Sequence, residues 1–142
     1  MPFVAITRLR VRSWRYLPMF VVQALRSGRQ AAASHGSLGI RLLKYERNTF
    51  WTATAWTDEQ AMRKFMLAAP HGPVMRKLLE WCDEASVVHW DQESPELPAW
   101  PVLSARMRTD GRRSKVNHPS PDHTAYRIPQ LPDDPKGALR FK

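Results

Sequence analysis

His71 is the residue of this chain best suited to acid–base or metal chemistry. It follows a break in a helical stretch, between Pro70 and Gly72. An imidazole titrates near neutral pH, so a neutral ring there can move a proton or ligate haem iron. The competing reading is a histidine that caps or fills a helix junction. His89, between Val88 and Trp90, can orient a ligand if its strand face lines a pocket, and is otherwise a satisfied or edge histidine. Phe50, Trp51, Trp56 and Trp90 supply either core and contact surface or the wall of a pocket for a flat, polycyclic or polyene ligand. Phe65, on the helix that follows, belongs to the same candidate pocket. Arg8 and Arg10 share one face of a strand, which makes them the wet end of a sheet or a cationic mouth for an anionic ligand.

Other chemistries lack their residues. His35, His118 and His123 show no zinc spacing with cysteine, and there is no His-Glu-x-x-His. P-loop, dinucleotide and Gly-x-Ser-x-Gly signatures are absent. The single Cys82 excludes an internal disulfide and a cysteine metal cluster, and beside Trp81 it reads as buried rather than nucleophilic. Glu80, Asp83 and Glu84 cluster at a helix end with no visible reason to act as paired catalytic carboxylates.

The elements that must position these residues follow from periodicity. Phe3 to Arg12 alternates as a strand, with Phe3, Ala5, Thr7, Leu9 and Val11 on one face and Val4, Ile6, Arg8, Arg10 and Arg12 on the other. Ser13 suits an N-cap for a helix reaching about Ser34, with Pro18 tolerated in its first turn and Gly36 as the stop. Leu38–Tyr45 and Thr49–Trp56 read as strands joined by the turn Glu46-Arg47-Asn48. Thr57-Asp58-Glu59 opens a second helix with Met62, Phe65 and Met66 as its apolar stripe, interrupted at Ala68-Ala69-Pro70 and resumed through about Cys82. Ala85–Trp90 is the closing strand. The third and fourth strands are apolar or neutral on both faces, while both helices cover the same face. Nothing in residues 1–98 covers the other face, so a second copy of the chain is the economical cover.

At 142 residues the chain is one domain with an appendage. The formal charge is +9, with 13 Lys/Arg against 9 Asp/Glu in residues 1–98 and 9 against 4 in residues 99–142. The second segment is a basic, proline-containing arm without a dense cationic run, so a solvated arm is favoured over nucleic-acid binding. Trp100, Leu103, Met107, Tyr126 and Ile128 are its docking candidates, and its removal is expected to leave the unit of residues 1–98 folded. No run approaches the roughly 18 apolar residues of a membrane span, and no signal peptide is visible, so a reducing cytoplasm is the simplest compartment.

The order β-α-β-β-α-β, the strand Phe50-Trp51-Thr52-Ala53-Thr54-Ala55-Trp56, and the helix Ala61-Met62-Arg63-Lys64-Phe65-Met66 followed by His71 resemble the dimeric α+β barrel superfamily. That superfamily contains antibiotic-biosynthesis monooxygenases and haem-degrading monooxygenases. The nearest resemblance, continuing through Met75 to Trp90, is to a family of unknown function related to spheroidene monooxygenase. The resemblance covers about residues 3–91. It implies an α+β, ferredoxin-like subunit that pairs sheet to sheet as a homodimer. It also implies an apolar pocket of the kind in which cofactor-free oxygenases of the superfamily bind electron-rich aromatics. Haem-degrading relatives carry a ligand histidine in the region of His71, together with a first-strand Asn and a helix Trp. Here Thr7 and Phe65 stand in those places, so that triad is not intact.

The expected function is therefore monooxygenase-like binding of an apolar organic substrate or haem in a barrel pocket, with either haem or no cofactor. The alternatives are a non-catalytic dimeric small-ligand-binding or stress-associated barrel, and nucleic-acid binding through the arm.

Overall fold

Strand β1 (Phe3–Val11) lies at the centre of one antiparallel sheet, with β4 (Cys82–Asp91) on one side and β3 (Thr49–Trp56) on the other. The computed structural model describes residues 1–46, 48–68 and 71–142, with side chains of residues 71–73 left undescribed. Among the described residues the sheet has six strands in the order β5 (Arg112–Arg113), β4, β1, β3, β2 (Ser37–Tyr45) and β6 (Ala138–Arg140). The central four, completed by β2, form the expected ferredoxin-like arrangement with α1 (Leu17–Ala33), α2 (Glu59–Leu67) and α3 (His71–Trp81). β5 and β6 are added to opposite edges by the C-terminal third.

Local sequence explains the element ends. Asp58 caps α2 by accepting a hydrogen bond from the Ala61 backbone N–H at 2.9 Å. Pro18 sits in the first turn of α1, where its missing N–H costs nothing. Ser13 shapes a preceding turn rather than capping the helix, since its carbonyl accepts from the Tyr16 N–H at 3.1 Å. Gly36 has φ 86°, and a Cβ there would lie 2.6 Å from the Ala61 methyl, so glycine is required twice over. β4 begins at Cys82, three residues before its expected start. Of the residues read as the acidic end of a helix, Glu80 is in α3 while Asp83 and Glu84 are strand residues, and Glu84 pairs in register with Arg10.

The sheet face opposite α1–α3 is not open. α4 (Trp100–Asp110) lies across it, and Trp100, Leu103, Met107 and Leu131 join Val4, Ile6, Trp51, Ala53 and Ala55 in one buried cluster. The premise for a second copy, a missing cover, is therefore corrected. The cover comes from residues beyond 98, which the sequence reading treated as a separable arm. Alternation alone shows that a face is apolar but not which distant segment lies on it.

From α4 the chain wraps the sheet. β5 pairs with the outer edge of β4, and Ser114–Val116 then turns onto the α1–α3 side. α5 (Pro121–Ala125) follows, and Tyr126 returns to the end of α4. Its O–H donates to the Met107 carbonyl at 2.5 Å. Finally β6 pairs with β2, and Phe141 seats its ring against Gly28 of α1.

Gly111, which ends α4, leaves no room for a side chain, because a Cβ would collide with the Met107 carbonyl and the Tyr126 hydroxyl. Gly111→Ala is expected to cost about 1–3 kcal/mol, read as a lowered melting temperature. An unchanged melting temperature would contradict this seating of Tyr126.

Candidate functional site

The inward stripe of α1 is Phe20, Ala24, Gly28 and Ala31, and it faces Ala5 and Thr7 of β1 across the sheet. Small side chains on both facing elements keep the helix from filling the space beneath it. The result is a cavity of about 340 Å³ between the sheet and α1–α3, within the range of small-molecule sites. Its floor is the sheet, where Thr7 and Thr52 are cross-strand partners. Met62, Phe65 and Met66 of α2 and Val74, Met75 and Leu78 of α3 form the far walls. Ser114, Lys115 and Val116 close the side beside β4. The lining is predominantly apolar, and Lys115 is its one ionisable member among the described residues.

Polar groups in this space are few. The Thr54 hydroxyl donates to the Ala5 carbonyl at 3.3 Å and is thereby occupied. Gln23 differs: its Oε1 is shut off from solvent and accepts no hydrogen bond, while its Nε2 has Met19 Sδ as a partner at 4.0 Å. Sequence reading passed over Gln23 and Lys115. The signal was present for Gln23, because it falls beside Phe20, Ala24 and Ser27 on the inward helical stripe. No local signal could place Lys115, whose position depends on the path of the wrapping segment.

The sequence candidates are dispersed. Phe65 lines the cavity. Trp56 stands behind it, with ring centroids 5.3 Å apart, and is fully buried outside the lining. Trp51 points to the opposite sheet face, into the cluster under α4. His89 is exposed and rests its ring 5.4 Å from that of Phe3, outside the lining. The side chain of His71 lies outside the described residues, as do Ala69 and Pro70. Arg47 of the β2–β3 turn is likewise outside them.

Arg8 and Arg10 are on the α4 side and share Glu84 as a partner, Arg8 buried and Arg10 with 40% of its side chain exposed. Arg8, 5% exposed, donates from Nη1 to Glu84 Oε1 at 2.7 Å, and Arg10 Nη1 donates to Oε2 of the same carboxylate at 2.9 Å. Ser120 from the wrapping segment adds a third donor to Glu84 at 2.8 Å. Burial pushes the Glu84 carboxyl up, but these hydrogen bonds outweigh it and hold its pKa below the ordinary glutamate value. A polar pocket of about 240 Å³ adjoins these groups, with Glu46, Thr49 and Asp122 also in its wall. Its carboxylates oppose the arginines, so it is no dedicated anion mouth.

Burial pushes the Cys82 thiol up to about 12, which removes it as a nucleophile. Among the described residues no cluster of three or more His, Cys, Asp or Glu side chains could hold a metal ion. The described cavity lining contains no His, Cys or Tyr, and the thioethers of Met62, Met66 and Met75 are the haem-ligating groups it does offer. No described helix is long and apolar enough to cross a membrane.

No protein-family model and no curated protein matches this chain in sequence. Solved structures do. An antibiotic biosynthesis monooxygenase candidate from Nitrosomonas europaea is 14% identical with a TM-score of 0.59, covering 66% of this chain and 92% of that one. SnoaB, a cofactor-independent oxygenase from Streptomyces nogalater, is 19% identical with a TM-score of 0.53, covering 68% and 97%. Rv0793 from Mycobacterium tuberculosis is 10% identical with a TM-score of 0.59, covering 66% and 97%. These likenesses show the fold, the ferredoxin-like α+β arrangement of antibiotic-biosynthesis-monooxygenase-like proteins. They span nearly all of the neighbours and leave about a third of this chain without a counterpart in them.

Proposed function

We propose that the chain binds a largely apolar organic molecule between its sheet and α1–α3 and acts on it as a monooxygenase-like protein. The observation that carries this reading is the cavity itself: about 340 Å³ of mostly apolar space kept open by small residues on facing elements. An interior that packs to ordinary density has no such space, and leaving it unfilled forfeits contacts on every wall. The monooxygenase-like fold supports oxygen chemistry, and SnoaB is described as acting without a cofactor. His71 remains the acid–base candidate. Haem is the less supported occupant, since the described lining holds no His, Cys or Tyr.

The described lining of the cavity comes from one copy of the chain. Homodimerisation stays a proposal without its original ground, because α4 already covers the second sheet face. Nucleic-acid binding through the C-terminal segment is disfavoured, because several of its arginines are engaged. Arg127 pairs with Asp122 at 3.1 Å, Arg106 with Asp110 at 3.5 Å, and Arg113 donates to the Thr124 carbonyl at 2.7 Å.

Calorimetric titration with bicyclic and tricyclic hydroxyarenes, paired with an oxygen electrode, tests the reading. Binding with oxygen uptake that falls in His71→Ala, at an unchanged melting temperature, is the expected result. Binding without uptake would favour a non-catalytic ligand-binding barrel. A Soret shift on haem addition that is lost in His71→Ala would make haem the occupant instead.

A further inference from the structure

We infer that the outer face of α1 is a docking surface for an anionic lipid membrane. Of the large apolar side chains exposed among the described residues, three fall together at the start of α1: Trp14, Met19 and Val22. Trp14 is 76% exposed, in the turn that leads into the helix. A tryptophan left in water forgoes a large burial, and its amphipathic ring suits the boundary between lipid and water. Helical spacing puts Met19, Val22, Arg26 and Arg29 in one outward stripe, and Arg15 continues it into the turn. All five are exposed. The stripe stands opposite the inward Phe20, Ala24, Gly28 and Ala31.

The charge of this face has one sign. No Asp or Glu occurs in residues 1–45, so the arginines of α1 and its leading turn have no carboxylate among them. α3, which packs beside α1, adds exposed Arg76 and Lys77. Its Glu80 is engaged by Arg12 at 2.7 Å. A second copy is the wrong occupant, because a two-fold contact through this face would set arginines against arginines. Nucleic acid would reward the arginines but leave Met19 and Val22 with little to gain. An anionic bilayer answers both, with acyl chains for the apolar side chains and headgroup phosphates for the guanidinium groups. Met75 is exposed and also lines the cavity, and the lining residues Gln23 and Ser27 adjoin Val22 and Arg26 on α1. The cavity therefore reaches the edge of this face, where an apolar molecule held in a bilayer would meet it. The docking itself does not depend on the cavity holding a ligand.

The test is flotation of the full chain with vesicles of phosphatidylcholine alone and of an equal mixture of phosphatidylcholine and phosphatidylglycerol. The full chain is expected to bind the mixed vesicles at least about tenfold more tightly, an advantage that shrinks with added salt, since each arginine near such a surface contributes about a factor of five. Brominated phosphatidylcholine in the mixture should quench part of the tryptophan fluorescence, and Trp14→Phe should remove that quenching. Arg26→Glu combined with Arg29→Glu should lose the preference for mixed vesicles and melt as the full chain does, since both side chains are exposed. Failure of the full chain to float with mixed vesicles would overturn the inference. So would a preference that survives in the double variant, or quenching that survives in Trp14→Phe. Tighter binding to a single-stranded RNA oligonucleotide than to mixed vesicles, lost in the same double variant, would give the face to nucleic acid instead. A dimer that dissociates in Val22→Asp would give it to a second copy, with the same consequence.

Discussion

A chain ending at residue 98 is expected to be unable to fold as a soluble monomer. Such a chain keeps β1–β4 and α1–α3 but loses Trp100, Leu103, Met107 and Leu131, all buried against the sheet. Trp51, Ala53, Ala55, Val4 and Ile6 would then face water as one contiguous apolar patch, of the kind that drives association. Removing a single fully buried Leu or Met side chain costs about 2–5 kcal/mol. A whole domain is stable by only about 5–15 kcal/mol. Losing four such residues together therefore exceeds what the remaining unit can lose. The truncated chain should appear in the insoluble fraction or as oligomers built on the bared face. Leu103→Ala provides a graded check, expected at about 2–5 kcal/mol by denaturant unfolding. A monomeric truncated chain with a cooperative melt near that of the full chain would show that α4 is dispensable cover.

Glu84→Ala is expected to be the most damaging single substitution outside the apolar core. It would leave the buried Arg8 guanidinium without its counter-charge. It would also release Arg10 and Ser120. Breaking a buried pair by removing one partner typically costs about 3–5 kcal/mol, far more than the pair itself contributes. Replacing both, Arg8→Met with Glu84→Leu, should recover much of that loss, because the desolvation penalty disappears along with the attraction. The pH dependence follows from the depressed Glu84 pKa. Its stabilising contribution is fully present above the unfolded-state pKa and is lost as pH falls through the lower folded-state value. Unfolding curves in acid should therefore show the full chain losing more stability than Glu84→Gln over that window. Parallel pH profiles for the two proteins would contradict the account of this network.

The parts of the fold legible in the sequence are those set by local periodicity. Alternation in β1 correctly separated Phe3, Ala5, Thr7 and Leu9 from Val4, Ile6, Arg8 and Arg10. It also sorted Trp51 and Trp56 onto opposite faces of β3. The Thr57-Asp58-Glu59 start and the stop at Gly36 were equally local. Less legible was anything that depends on contacts distant in sequence. Arg8 looked like a solvent or ligand group because its partner Glu84, 76 residues away, read as the end of a helix. The apolar second face of the sheet called for a cover, and only the tertiary path shows that Trp100 to Leu131 supplies it. For the site, aromatic bulk was a divided guide. Phe65 is in the described cavity lining and Trp51 and Trp56 are outside it, whereas the small Ala5 and Ala24 leave it space. A stripe of small residues also permits close helix packing, so spacing alone does not distinguish a void from a tight contact.

The central claim is that the space between the sheet and α1–α3 receives an apolar organic ligand, and the methionines report on it directly. Met62, Met66 and Met75 line the cavity, Met107 is buried on the opposite face, and Met1 and Met19 are exposed. In a chain labelled at the methionine methyl carbons, 2-naphthol should produce saturable ring-current shifts at Met62, Met66 and Met75 and leave Met107 unmoved. Saturation with no shift at those three, or shifts confined to Met19 and Met107, would place the ligand elsewhere and contradict the account.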